Sequence, residues 1–275
     1  GSNQTFSVTP FNMHPDRPEV KDSKAFYDGF HSELRIGAVE RIKQDSRLKT
    51  LRELVYSHSR GWTNKRILVA GCGRGGDTIV VDNPVIALDI SFNALRMAKR
   101  DFPDNIYLTA DAGCLPFNGN CFDLIICSEV IEHTICPKTI LLEFRRVLKP
   151  DGCLIISLPN WISLYGLARK LGEFILKKPL TAAGQPIDNW QTFKSFRQLL
   201  APEFKITDKR GIWYYPPTGK GNIRIPDLLI LPMVILLQPI DALLGKILPS
   251  IGSHILSLKC AQRTFKPPGS QRASK

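Results

Sequence analysis

The chain has no Cys-x-x-Cys pair, and its seven cysteines, at positions 72, 114, 121, 127, 136, 153 and 260, are an odd number lying mostly inside apolar runs. That spacing fits neither a disulfide frame nor a zinc site, so the cysteines are expected to be small, mostly buried side chains in a reducing compartment, and no metal is expected. No apolar run reaches 18 uninterrupted residues, which argues against a standard transmembrane helix. No N-terminal stretch reads as a signal peptide, and the opening Gly1-Ser2 looks like a cloning remnant, so a cytoplasmic location is expected. No internal repeat is found. Hydrophobic residues make up 43% of the 275 and charged residues 23%, which excludes wholesale disorder and leaves enough apolar mass for a sizeable core.

The net charge of +12 is uneven. Residues 64–160 hold 10 Lys/Arg against 11 Asp/Glu, whereas residues 161–275 hold 17 against 6. A basic surplus of that kind attracts nucleic acid, anionic lipid or acidic substrates, or is simply a solvated face.

Residues 1–20 read as a loose Pro-rich arm, and Asp22 to about Ser59 as one or two helices, because Leu34, Ile36, Val39, Ile42, Leu48, Leu51, Leu54 and Val55 recur at helical spacing. Short apolar runs then alternate with helical or turn segments. Strands are predicted at 66–70, 84–89, 106–111, 122–128 and 153–159, with helices at 92–102 and 138–148. This rhythm specifies an α/β fold with a mainly parallel sheet covered on both faces. Further helices are predicted at 161–176 and 191–200, and strands at 204–212 and 254–262. The division expected is an N-terminal arm and helices over 1–63, a main domain over 64–262 with an apolar insertion at about 217–250, and a basic disordered tail over 263–275.

Gly71, Gly73 and Gly76 spell G-x-G-x-x-G between the first strand and a presumed helix, a loop whose backbone a ligand can approach closely. Asp89 ends the second strand, 18 residues after Gly71, where a carboxylate can accept hydrogen bonds from ribose hydroxyls. Asp111 ends the third and could accept from an adenine amino group. These features point to a nucleotide-containing cofactor, and a nicotinamide-dependent oxidoreductase would share the glycine pattern.

Together with F-D-L-I-I-C-S-E-V-I-E-H and L-K-P-D-G-C-L-I-I-S, the series G-C-G-R-G, A-L-D-I-S and D-A-G-C-L-P-F resembles the class I S-adenosylmethionine-dependent methyltransferases of the UbiE-like, type 11 group, over residues 64–160. The resemblance implies a doubly wound, Rossmann-like sheet of seven strands, the last antiparallel, with S-adenosylmethionine as cofactor. It implies that Gly71, Cys72, Gly73 and Gly75 form the loop round the methionine part and that Asp89 binds the ribose diol. Ile90 would pack on the adenine, Asp111 and Ala112 hold its edge, and Ser128 line the methyl side. The family usually carries an acid two residues before the first glycine, where this chain has Val69; the task would pass to Asp77, Glu129 or an N-terminal residue.

His133, just past the fourth strand, is the candidate general base for a hydroxyl acceptor, with a structural histidine as the competing reading. Tyr27, His31, Tyr214 and Tyr215 are candidates for an acceptor pocket. The segment Ile225–Leu248 is strongly apolar and interrupted by Pro226, Pro232 and Pro239, which argues against one straight helix; it reads as a pair of short helices forming an apolar lid, as a peripheral membrane contact over about 225–250, or as a dimer interface or ordinary core. The activity expected is methylation of a lipophilic small molecule at a membrane surface, with no nucleic-acid partner; a non-catalytic membrane-associated protein that retains the fold stays open beside it.

Overall fold

The computed structural model describes residues 18–30, 38–57, 61–180, 185–214 and 227–263. Helices α1 (Pro18–Phe30) and α2 (Ala38–Tyr56) precede strand β1 (Ile67–Ala70). Then come β2 (Ile86–Asp89), α3 (Phe92–Asp101), β3 (Ile106–Thr109), β4 (Phe122–Ser128), α4 (Pro137–Val147), β5 (Leu148–Pro159), α5 (Leu164–Leu176), α6 (Phe193–Leu200), β6 (Phe204–Ile212), α7 (Asp227–Ile247) and β7 (Ile255–Gln262). The seven strands form one sheet in the order β3-β2-β1-β4-β5-β7-β6. β1 to β5 are parallel, and β7 runs antiparallel to both β5 and β6.

The alternation of side chains along each strand divides the core in two. On one face Leu68, Ile125, Leu154 and Ile156 meet Phe144 of α4 and Phe196 of α6. On the other, Ile67, Val69, Leu124 and Ile155 meet Leu51, Leu54 and Val55 of α2. With both faces covered, the strands read as continuous apolar runs.

Four local readings change. The glycine loop leads into a five-residue 3-10 turn, Gly76–Val80, in place of a full helix. Asp111 lies two residues beyond the end of β3 rather than on it. β5 begins at Leu148, because Lys149–Gly152 is absorbed in a register shift opposite Phe122 and Leu124, so the L-K-P-D-G stretch joins the ladder instead of only ending α4. The apolar insertion is one 21-residue helix, α7, with Pro232 and Pro239 inside it, rather than two. A proline removes a single N–H from the helical ladder, and packing of Ile230 and Val234 against Ile212, Trp213 and Ile255 holds the helix together. Its Ile230–Ile247 portion is long and apolar enough to cross a membrane by length and composition, which the search for uninterrupted apolar runs overlooked.

Cys72, Cys127 and Cys260 are buried, Cys114 and Cys136 are exposed, and all seven cysteines are free. The tail from 264 onward lies outside the described residues.

Leu54 is fully buried between α2 and the sheet. Leu54→Ala is expected to lower the unfolding free energy by about 2–5 kcal/mol through lost burial and a residual cavity, measured by urea denaturation. A loss under about 0.5 kcal/mol would mean that α2 contributes little to the core.

Candidate active site

At the carboxyl ends of β1 to β4 lies a cavity of about 540 Å³, a size that suits a small-molecule cofactor with its substrate. It opens beside β1, where chain direction across the sheet reverses, the usual position for a ligand crevice in open α/β sheets. Each wall comes from a different strand end: Gly71 and Gly73 after β1, Asp89 and Ile90 at β2, Ala110 to Gly113 after β3, and Glu129 and His133 after β4.

The turn after β1 is shaped by left-handed backbone. Gly71 has φ 70° and Gly75 φ 84°. A Cβ on Gly71 would meet the side chain of Val130, and one on Gly75 would meet Phe102 and Ala98. Asp89 fastens this turn to β2, accepting from Gly73 N at 2.7 Å and Ser91 N at 2.9 Å. Asp111 accepts from Gly113 N at 2.8 Å at the far wall.

Behind the turn, Arg47 of α2 makes a two-pronged ion pair with Asp77, Nη2 to Oδ1 at 2.6 Å and Nη1 to Oδ2 at 3.0 Å, and donates to Ser128 Oγ at 2.7 Å. This clamp ties α2, the glycine turn and the end of β4 together. It also occupies Asp77, which does not line the cavity. Ser128 is buried behind the wall, sharing a hydrogen bond with Ser157 at 2.8 Å. Cys72 is buried and Gly75 faces Phe102, so both shape the loop from behind.

Of Asp77 and Glu129, the two acids that could replace the one missing at Val69, Glu129 lines the cavity. It sits at φ 57° and accepts from Ser157 Oγ at 3.0 Å. Burial raises its carboxyl from the ordinary value near 4.5 to about 7. Glu132 next to it is fully buried, its oxygens have no hydrogen-bond partner, and burial followed by repulsion from Glu129 pushes its pKa well up. His133 has Nδ1 at 2.9 Å from the Ile187 carbonyl and Nε2 at 3.6 Å from Glu132 Oε1, and burial lowers its pKa below the ordinary 6.5. Its ring is therefore neutral at neutral pH, the state that can take up a proton.

Tyr27 of α1 also lines the cavity and lies 6.3 Å from the His133 ring. Tyr214 lies elsewhere: its hydroxyl donates to the carbonyls of Leu244 and Leu248 at 3.1 and 2.8 Å, holding the end of α7. His31 and Tyr215 lie outside the described residues. Among the described residues, none of α7 lines the cavity; α7 packs against β6 at the sheet edge remote from β1–β3. The motif reading missed Arg47 and Gln185, whose Oε1 is buried without a partner in the cavity wall. Neither carries a local sequence signal, since both reach the site from segments outside the motifs. Among the described residues no cluster of ligands could hold a metal.

Residues 68–156 match the protein family described as a methyltransferase domain. An uncharacterized protein of Methanocaldococcus jannaschii is 27% identical over 241 residues, covering 86% of this chain and 97% of its own length. A demethylmenaquinone methyltransferase of Renibacterium salmoninarum is 40% identical over 73 residues, 26% of this chain and 31% of that enzyme, so the shared part is under a third of the relative. Among solved structures, an S-adenosylmethionine-dependent methyltransferase of Thermotoga maritima superposes with a TM-score of 0.60 at 17% identity, covering 88% of this chain and all of that one. The glycine turn, the two strand-end acids and the seven-stranded order thus meet a matching family and fold: the chain carries a class I S-adenosylmethionine-dependent methyltransferase domain of the UbiE-like, type 11 group, with S-adenosylmethionine as its cofactor.

Proposed function

We propose that the protein methylates a lipophilic small molecule taken up at a membrane surface. The observation that carries this is the composition of the cavity: its lining combines the carboxyl groups of Asp89, Asp111 and Glu129 with apolar side chains that include Val130, Ile135 and Ile140. A lining of both kinds suits a charged nucleoside cofactor together with a greasy acceptor. The partial likeness to an enzyme named for demethylmenaquinone supports the same acceptor class.

The cofactor supplies an electrophilic methyl group on a sulfonium. The chain's own residues hold and orient. Gly71 and Gly73 would give backbone to the methionine part, with Cys72, Gly75 and Ser128 supporting that turn from behind. Asp89 would take the ribose hydroxyls, Ile90 would pack on the adenine, and Asp111 and Ala112 would hold its edge. Glu129 would take the place of the acid that Val69 does not provide and hold the cofactor's ammonium by charge. Alignment of acceptor with methyl supplies most of the rate. His133 takes the acceptor's proton when that acceptor is a hydroxyl, and Tyr27 borders the acceptor.

Calorimetric titration is expected to show S-adenosylhomocysteine binding and no binding of NAD. Asp89→Ala should weaken that binding by about 1–3 kcal/mol through loss of charged hydrogen bonds; unchanged affinity would remove Asp89 from the site.

The raised pKa of Glu129 has a definite sign. The folded value lies above the unfolded one, so the ligand-free protein loses stability as pH rises from about 4.5 through 7. A bound ammonium favours the carboxylate, so binding releases a proton. S-adenosylhomocysteine affinity should therefore rise from pH 6 to pH 8, by up to about ten-fold per unit below the pKa. Glu129→Gln should flatten this rise; a profile that keeps its slope would assign the proton elsewhere.

For a hydroxyl acceptor, His133→Ala should lower kcat by about 10²–10⁴-fold and abolish the acidic limb of the pH–rate profile, while cofactor affinity stays near wild type. A lower rate with the acidic limb intact would leave His133 only its bond to Ile187.

A further inference from the structure

Outside the cavity, the described surface carries two unburied apolar stripes. Leu164, Leu167, Leu171 and Phe174 recur at three- and four-residue spacing, which puts them on one face of α5, and all four are exposed, Phe174 at 81%. On α7, Leu236, Ile240, Leu243 and Ile247 share one stripe in the same way and are all exposed, Leu236 at 76%. The side of α7 that faces the core is already used, since Ile230 and Val234 pack on Ile212, Trp213 and Ile255. The outward stripe is therefore surplus to folding.

The two stripes are joined. Gly252, just after α7, donates its N–H to the Ile162 carbonyl at 2.8 Å and pairs with Ser163, the cap of α5. Asn160 reaches across the same junction to the carbonyls of Ser250 and Ser253 at 3.3 and 3.1 Å. Ile162 and Ile251 stand exposed at this junction. Apolar surface of this extent calls for a partner.

Charge identifies the partner. Lys170, Lys177 and Lys178 on or beside α5, and Lys246 on α7, are exposed. The acid within α5, Glu173, is taken up by Arg169 and Lys170 at 3.1 and 3.3 Å. The acid within 230–247, Asp241, is buried and accepts from Tyr214 N at 2.7 Å. Lys246 lies 3.9 Å from the half-exposed Glu53 of α2, so the charge of this face rests mainly on Lys177 and Lys178 at the end of α5, and a two-fold contact with a second copy would set those two lysines against their like-charged counterparts. An anionic lipid surface answers both the apolar stripes and the lysine fringe.

We propose that α5 and α7 together form a docking face for anionic lipid bilayers, both helices lying along the surface. α7 does not leave the fold to span the membrane, because withdrawing it would strip Ile230 and Val234 from the core. α5 links the face to the cavity: its Arg169 pairs with Asp188 at 2.7 Å, three residues from the cavity-lining Gln185. The docking face rests on the reading of a lipophilic acceptor and extends it to a helix, α5, that carries no insertion signal.

The test is flotation of the full chain with phosphatidylcholine vesicles, with and without about a third phosphatidylglycerol. Strong retention by the anionic vesicles is expected, with much less on the neutral ones. The pair Leu167→Glu/Phe174→Glu on α5 and the pair Leu236→Glu/Leu243→Glu on α7 should each reduce the bound fraction by about five-fold or more, with S-adenosylhomocysteine affinity unchanged as the sign of intact folding. Lys177→Glu/Lys178→Glu should reduce binding to anionic vesicles alone. The proposal is overturned if the intact protein, still binding S-adenosylhomocysteine, stays off anionic vesicles, or if the α5 pair floats like wild type. It is equally overturned if light scattering finds a dimer that the α5 pair dissociates while vesicle binding persists. Loss of S-adenosylhomocysteine binding by the wild-type chain would instead count against the methyltransferase site, so the two failures are separable.

Discussion

The site depends on the switch in strand order at β1. Strands β2 and β3 are laid down to one side of it and β4 and β5 to the other, which opens a crevice at the carboxyl ends of the central strands. The turn after β1 must then bend sharply under Val130, and the left-handed backbone at Gly71 and Gly75 permits it. One half-buried arginine secures the arrangement: Arg47 holds Asp77 on the glycine-turn side and Ser128 at the end of β4. A buried ion pair of this kind adds little net stability over an apolar substitute, but losing one partner leaves a charge stranded, so it specifies how α2 seats against the sheet.

The crevice concentrates carboxyl groups in a poorly solvated place. Glu129 and Glu132 lie three residues apart, Glu132 buried and Glu129 half-buried at the cavity wall, and both are pushed toward the protonated form. Low local polarity makes an unpaired carboxylate costly, so a cationic ligand group there is drawn more strongly than it would be at the surface. The same burial keeps the His133 imidazole neutral. Proton-accepting and cation-accepting groups thus stand side by side, kept distinct by their depth and their hydrogen bonds.

The opposite edge of the sheet serves another purpose. β6 and β7 carry α7, with Gly245 pressed against the Gly211 backbone where a Cβ would collide. This close crossing fixes which stripe of α7 faces inward. The outward stripe, continued by α5, stays apolar beside lysines. In the proposed docked state the greasy edge and the crevice are separate regions of one rigid sheet, connected through α5 and the Asp188 segment.

Much of this was legible in the sequence by itself. Continuous apolar runs such as Ile67–Ala70 and Phe122–Ser128 mark strands buried on both faces, and Gly71, Asp89 and Asp111 recur at successive strand ends because the fold brings successive strand ends together. Local periodicity and turn chemistry determine those features within a few residues. Only the tertiary structure decided the rest. It seated Arg47 and Gln185 at the site from segments without motifs, consumed Asp77 and left Glu129 facing the cavity, and moved Tyr214 to the foot of α7. It also kept Pro232 and Pro239 inside one helix, because packing against β6 and β7 outweighs two missing backbone hydrogen bonds. Each of these outcomes turns on contacts between residues far apart in the chain, and periodicity along a segment carries no record of what will pack against it.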